Sequence, residues 1–298
     1  MKKNNKSIKW KGIILAGGYG TRLKPVTKAI SKQLLPVYNK PMIYYPLSVL
    51  MLAGIKDILL ITTKDNINNF KALLGSGKDL GIKLHYKIQK KPNGIAEAFI
   101  IGQQFIGNSN VCLILGDNVL YGQGLKFFLK NAMNRSKGAT IFGYPVKDPS
   151  RFGIAELDKN NRIKKLVEKP KKPKSNLAII GLYFYDKTVV ELTKRVKKSP
   201  KGELEITDLN KLYHQKSTLN IEIFGRGFAW LDTGTYESLI DASNFIYIAE
   251  KRQGLQIACI EEIAYNNGWI SKKTLHKVAR EISNTDYGKY LLNIVKNK

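Results

Sequence analysis

The sequence is poor in the residues that disulfide and soft-metal chemistry require. Its 298 residues include two cysteines, Cys112 and Cys259, far apart and without a Cys-x-x-Cys spacing, so no disulfide framework is implied. Cys112 lies inside the apolar run Val111 to Leu115, which points to a buried structural thiol rather than a nucleophile. The three histidines, His85, His214 and His276, do not cluster with those cysteines, so a zinc or other transition-metal site has no ligand set. Any metal should be held by oxygen. Long apolar runs are missing too: no stretch approaches the roughly 18 consecutive apolar residues of a membrane span. Residues 1–11 carry five lysines and no apolar signal-peptide core, so a cytoplasmic chain is expected.

Acidic residues are scarce, 23 against 50 Lys and Arg, for a formal charge of +27. Such a field attracts nucleic acid, anionic lipid and small phosphorylated ligands alike, so charge alone does not choose among them. The densest basic run, Arg162 to Lys174, holds seven basic residues and one acid, Glu168. Its second half, from Lys169, has no aromatic, unlike the stacking platforms of RNA-binding proteins. Neither nucleic acid nor membrane is expected as a partner.

What the chain does have is core material, 43% hydrophobic and 10% aromatic, enough for one large α/β domain or two ordinary ones. From Lys11, short β-branched runs alternate with amphipathic stretches, the pattern of βαβ units. Strands are predicted at Gly12 to Ala16, Asp57 to Thr62, Lys83 to Ile88 and Val111 to Leu115. Helices are predicted at Pro41 to Ala53, Asn66 to Leu74 and Ile95 to Phe105. Beyond Ala139 the strand-like runs crowd together, at Thr140 to Val146, Phe152 to Leu157, Arg162 to Val167 and Ala178 to Tyr185, which predicts mixed or antiparallel additions to the sheet. Helices at Asp186 to Lys197 and Ile206 to His214, strands at Leu219 to Phe224 and Phe228 to Leu231, a long helix at Thr235 to Glu250 and a mostly helical tail complete the reading.

Leu15-Ala16-Gly17-Gly18-Tyr19-Gly20-Thr21-Arg22 is an apolar strand running straight into glycines that let backbone N–H groups approach phosphate. It is neither the dinucleotide fingerprint nor a Walker loop. An irregular cationic segment with Arg22, Lys28 and Lys32 separates this strand from its helix, and structureless length of that kind usually serves function. Asp117 and Asp232 each follow an apolar strand-like run, where open α/β sheets bind ligands.

The run from Gly17 to Pro25, followed by Ser31-Lys32-Gln33-Leu34-Leu35-Pro36, resembles the signature of sugar-nucleotide pyrophosphorylases. Lys40 to Gly54, Gly116 to Tyr121, Glu168-Lys169-Pro170, Gly181 to Asp186, Gly202 to Asp208 and Ala229 to Thr235 resemble its glucose-1-phosphate thymidylyltransferase branch. That resemblance implies an α/β fold: a Rossmann-like mixed sheet flanked by helices, with an inserted sugar-binding subdomain and a helical C-terminal tail. The implied divisions are a basic extension at 1–11, a nucleotidyltransferase domain at 12–244 and a tail for subunit contacts at 245–298. The implied reaction joins glucose 1-phosphate to dTTP, giving dTDP-glucose and pyrophosphate, with Mg2+ as cofactor, in a homotetramer that feeds dTDP-sugar synthesis such as that of dTDP-rhamnose. A UTP-using uridylyltransferase and a non-catalytic sugar-nucleotide-binding relative are the alternatives.

The resemblance also implies roles. Arg22 and Lys32 clamp the phosphates, Leu15, Gly17 and Gly18 line the nucleotide, and Gln89 and Gly94 face the base. Asp117 and Asp232 hold the magnesium ion, Lys169 the sugar phosphate and Glu168 the sugar hydroxyls. Tyr144, Phe152, Gly153 and Ile179 line the sugar pocket. Phe152 departs from the family, which usually has tyrosine there, and that bears on sugar selectivity. The extension before Gly12 is expected to be disordered.

Overall fold

The structure, a computed structural model, describes residues 9–297, and residues 1–8 of the expected extension lie outside the described residues. The β-branched and leucine-rich runs form strands β1 (Trp10–Ala16), β4 (Asp57–Thr62), β5 (Lys83–Ile88) and β6 (Asn110–Leu115). Between β1 and β4 lie the two-residue strands β2 (Pro36–Val37) and β3 (Lys40–Pro41), a small hairpin, and then helix α1 (Tyr44–Leu52). The expected basic extension ends before Lys11. Trp10 and Lys11 are rungs of β1, because the Trp10 ring packs edge-on against Phe184 at 5.3 Å and the Lys11 ammonium donates to the Phe105 carbonyl. The helix expected from Pro41 starts three residues later, since Lys40 and Pro41 are held in the hairpin.

Helix α2 (Ile67–Leu74) joins β4 to β5, and the expected helix from Ile95 to Phe105 is two short ones, α3 (Glu97–Ile101) and α4 (Gln103–Ile106), broken at Gly102. After β6 come β7 (Asn118–Gly122), α5 (Leu125–Asn134), β8 (Ala139–Pro145), β9 (Gly153–Leu157), β10 (Ile163–Glu168) and β11 (Leu177–Tyr185). Then follow α6 (Val189–Lys194), α7 (Ile206–Gln215), β12 (Leu219–Ile223) and β13 (Phe228–Asp232). The chain closes with α8 (Tyr236–Gln253), α9 (Ile260–Asn266), α10 (Lys272–Glu281) and α11 (Asp286–Asn297).

Nine strands form one mixed sheet in the order β10-β9-β11-β6-β1-β4-β5, with β8 beside β11 and β12 beside β8. The β6-β1-β4-β5 half is parallel and Rossmann-like, while β11 runs antiparallel to both β6 and β8. Strand alternation feeds two cores. Ile14, Leu60 and Ile114 face one side with Leu47 and Leu50 of α1, while Ile13, Leu59 and Leu113 face the other with Phe99 of α3 and Leu209 of α7. This explains why β1, β4 and β6 read as unbroken apolar runs: parallel strands are covered on both faces.

The expected boundary between 244 and 245 falls inside α8, whose Ala242 and Ile246 pack on Val37, Met42 and Tyr45 of the hairpin region. Beyond it, Cys259, Leu275, Ala279, Leu291 and Val295 make a separate small core. Both cysteines are buried and unpaired. Among the described residues, no helix is long and apolar enough to cross a membrane.

Candidate active site

The parallel strands end together. Strand β1 has β4 on one side and β6 on the other, so the chain's winding reverses between β1 and β6, and a crevice opens beyond their carboxyl ends. Two cavities occupy it, of about 410 and 250 Å3. Arg22, Arg151, Phe152, Trp230 and Asp232 line only the larger; Leu15, Gly18, Lys32, Gln89 and Gly94 line only the smaller. Asp117, Glu168 and Lys169 line both, so the two lobes share one wall.

Asp117 follows β6 after one residue, Gly116, and Asp232 ends β13. The link between them is the antiparallel pair β7–β13, in which Asp232 stands opposite Asn118. Thr233 ties the two segments again by donating to the Asp117 carbonyl at 2.9 Å. Helix α8 then starts at a fixed point, because Thr235 and Ser238 cap each other's backbone N–H groups at 3.2 and 2.9 Å. Buried Asn118 is a clamp. Its Nδ2 donates to Asp117 Oδ1 at 3.2 Å while its Oδ1 accepts from Trp230 Nε1 at 2.7 Å and Gly181 N at 3.1 Å.

The two carboxylates differ electrostatically. Burial pushes both up, but the Lys32 ammonium bonded to Asp117, with Asn118 assisting, brings Asp117 below its ordinary value. Asp232 stays raised, by burial first and then by the charge of Asp117, despite the Arg151 guanidinium 3.1 Å from its Oδ2. Two carboxylates brought together, one of them short of positive charge, suit a hard divalent cation that completes its shell with phosphate and water. Among the described residues there is no group of three or more His, Cys, Asp or Glu that could hold a metal.

On the shared wall, Glu168 ends β10 and Lys169 follows it. Glu168 Oε2 accepts from Thr207 at 2.5 Å, and its Oε1 lies 3.5 Å from Lys169 Nζ. Gly153 lies beneath this pair: a Cβ there would come within 2.9 Å of the Thr207 hydroxyl and 3.1 Å of Glu168 Oε2. Lys169 has φ +40°, a left-handed conformation that costs a lysine on the order of 1 kcal/mol. Its N–H is held by the Phe152 carbonyl at 3.0 Å. Glu205, at the edge of the same wall, is raised by partial burial and by Glu168 and Glu203.

Phe152 packs edge-on against Trp230 at 5.0 Å, and Arg151 lies over the Phe152 ring at 5.5 Å. Ile179 forms part of the same lobe. Tyr144 stands apart: it packs behind Trp230 at 6.0 Å with its hydroxyl on the Phe228 carbonyl, and it is absent from both linings. It supports Trp230 from behind rather than walling the lobe. On the other side Gln89, 5% exposed, lies against the glycine loop: a Cβ on Gly17 would come within 2.2 Å of Gln89 Oε1.

Asn118, Arg151, Thr207 and Trp230 are the site residues that sequence reasoning missed. Asn118 and Arg151 are direct neighbours of Asp117 and Phe152, but adjacency in sequence does not reveal a clamp or a counter-ion. Thr207 and Trp230 lie within the quoted segments Gly202 to Asp208 and Ala229 to Thr235, but the resemblance gave them no role, and they reach the site through α7 and β13.

A sequence model of the family "Nucleotidyl transferase" matches residues 11–248. A glucose-1-phosphate thymidylyltransferase of Neisseria meningitidis is 56% identical over 96% of this chain and 99% of its own length. The chain belongs to the nucleotidyl transferase family. Within it, similarity runs to the thymidylyltransferase branch: a Mycolicibacterium smegmatis protein of that name is 50% identical over the same shares of both chains. Among solved structures, a Bacillus anthracis chain with a provisional thymidylyltransferase name, bound to sucrose, superposes with a TM-score of 0.74 at 40% identity, covering 79% of this chain and 94% of that one. A UDP-glucose pyrophosphorylase bound to UDP-glucose gives 0.68 at 28% identity, covering 81% and 99%.

Proposed function

We propose that this nucleotidyl transferase joins glucose 1-phosphate to dTTP, releasing pyrophosphate and dTDP-glucose. The observation that carries the reading is the shared wall: two lobes, each large enough for part of a sugar nucleotide, meet where Asp117, Glu168 and Lys169 stand. The relatives' names supply the base and the sugar.

A phosphate monoester is mostly dianionic at neutral pH, so its oxygen needs no general base to attack the α-phosphorus of the nucleotide. The new P–O bond forms as the bond to the β-phosphate oxygen breaks, and pyrophosphate carries away the charge. Two anions must meet, and the residues answer that repulsion from both sides. Lys169 orients and screens the sugar phosphate. Glu168, with one oxygen held by Thr207, accepts from sugar hydroxyls. Arg22 and Lys32 neutralise the triphosphate as its charge shifts toward the leaving group, guanidinium suiting fork-like phosphate contact. Magnesium held by Asp117 and Asp232 would supply further positive charge to the phosphates when bound.

The same reading places the enzyme in the cytoplasm as a homotetramer feeding dTDP-sugar synthesis. The tail forms subunit contacts and, with the cavity of about 330 Å3 between α1, α5 and α9, a second site for a downstream dTDP-sugar. Pyrophosphate release measured with glucose 1-phosphate and each nucleoside triphosphate in turn tests the core of it. We expect dTTP to be best and UTP to follow within about tenfold, because a methyl in an apolar pocket is worth only about 1 kcal/mol. Higher activity with ATP or GTP would overturn the assignment.

A further inference from the structure

Glu97 opens α3 behind Gln89, a lining residue of the smaller lobe, and nothing in the mechanism above employs it. Its two oxygens accept from two amides: Oε2 from Gln89 Nε2 at 2.8 Å and Oε1 from Asn93 Nδ2 at 2.8 Å. A glutamine amide can turn over at little cost when its partners are water or hydroxyls. The bond runs from the amide nitrogen to the carboxyl oxygen, so the group that Gln89 turns toward Glu97 is its NH2. The Gln89 carbonyl oxygen is therefore turned away from Glu97 and lies over the bare Cα of Gly17, in the glycine loop whose next residue, Gly18, lines the nucleotide lobe together with Gln89. At 5% exposure, Gln89 has little water to offset a mismatched partner.

We propose that Glu97 is a positioning residue for base selection: it fixes the Gln89 amide so that an acceptor, not a donor, faces the nucleotide. That arrangement favours a pyrimidine with a ring N–H, as thymine and uracil have at N3, over cytosine, which has a lone pair there. A site built to accept that proton rejects the base that lacks it, because the acceptor then faces an acceptor. The inference rests on the smaller lobe being the nucleotide site of the proposed reaction. It adds the means by which pyrimidines are told apart.

The test compares dTTP with dCTP, which share the sugar and the triphosphate, in the magnesium-supplemented full-length enzyme. In Glu97→Ala the ratio of kcat/KM for dTTP over dCTP should fall tenfold or more, chiefly through KM, and equilibrium binding of dTDP over dCDP should lose selectivity in parallel. Glu97→Gln should fall between wild type and Glu97→Ala, since its amide can offer Gln89 either a donor or an acceptor. An unchanged ratio in folded Glu97→Ala, whatever its melting temperature, would reduce Glu97 to a structural role and overturn the inference. Should Glu97→Ala not fold, the ratio in Glu97→Gln decides in the same way. A wild-type enzyme inactive with dTTP would instead sink the proposed reaction, so the two failures are distinguishable.

Discussion

Lys32 and Lys40 lie on the same segment between β1 and α1, and each is bonded to a carboxylate, yet the two pairs do opposite things. Lys32 and its partner Asp117 stand on the walls of the crevice, Lys32 in the smaller lobe and Asp117 in both. Lys40 and Glu250 are sealed: their side chains are 2% and 4% exposed, with Nζ and Oε1 2.8 Å apart. Glu250 spends both oxygens, since Oε1 also accepts from Ile257 N at 2.8 Å and Oε2 from Asn39 Nδ2 at 2.9 Å. Burial lowers the Lys40 pKa even against the pull of Glu250. The sealed pair fastens the hairpin to α8 and the start of the tail; the open pair holds charge where a ligand can exchange for it. A buried charge with all its partners within the chain is architecture, and one that borders a cavity is chemistry.

The largest effect should come from breaking the sealed pair. Lys40→Met leaves Glu250 buried without its cation, which costs about 4 kcal/mol and lowers the melting temperature by roughly 10 °C. The double change Lys40→Met, Glu250→Leu should recover part of that loss, the Ile257 N–H being left without its acceptor, while turnover of the folded enzyme stays near wild type. Calorimetric melts and pyrophosphate release together check it, and a large turnover defect in the stable double variant would break the contrast.

On the open side the loss should appear in rate. Lys169→Ala is expected to cost about 3 kcal/mol of transition-state stabilisation with nucleotide binding retained. If dTTP affinity fell while the dependence on glucose 1-phosphate stayed the same, Lys169 would belong to the other lobe.

Asp117→Asn and Asp232→Asn should each lower turnover about a hundredfold, and the double change should add little, since residues that serve one ion act as a unit. Additive small losses would separate the two aspartates.

The smallest effect sharpens the comparison within the crevice itself. A carboxyl held below its ordinary pKa stabilises the fold above the ordinary carboxylate range and loses that contribution as pH falls; one held above it contributes only at lower pH and is a burden at neutrality. Without metal or nucleotide at pH 7, Asp117→Asn should therefore melt about 2 °C lower and Asp232→Asn about 2 °C higher. The part-exposed Arg151 pair lost in the second variant is worth little. Lowering the pH toward 4 should erase the Asp232→Asn gain, because wild-type Asp232 then takes up its proton. Equal destabilisation by both changes would show that the two carboxylates are not in opposite electrostatic states.

Strands β4 and β5 were legible to the residue, because a continuous apolar run in one and apolar–polar alternation in the other carry their own signal. The ends of β1 and α1 were not. Trp10 and Lys11 join β1 through contacts with Phe184 and Phe105, far off in the chain, and Pro41 leaves the helix for a hairpin whose partner is Pro36. Tyr144 was placed in the sugar pocket and stands behind it, since strand register decides which ring faces the cavity and which backs it.

By itself the sequence determined the class of molecule: alternating apolar runs that demand a sheet covered on both faces, a glycine loop after the first strand, and aspartates at strand ends. Period and composition are local, so a linear reading captures them. The tertiary structure decided everything that depends on distance across the chain. It paired β7 with β13 and so set Asp117 beside Asp232, gave Lys32 to an open wall and Lys40 to a sealed one, and turned Gln89 by way of Glu97. Charge, burial and hydrogen-bond direction are properties of neighbours in space, and most of those neighbours are distant in sequence.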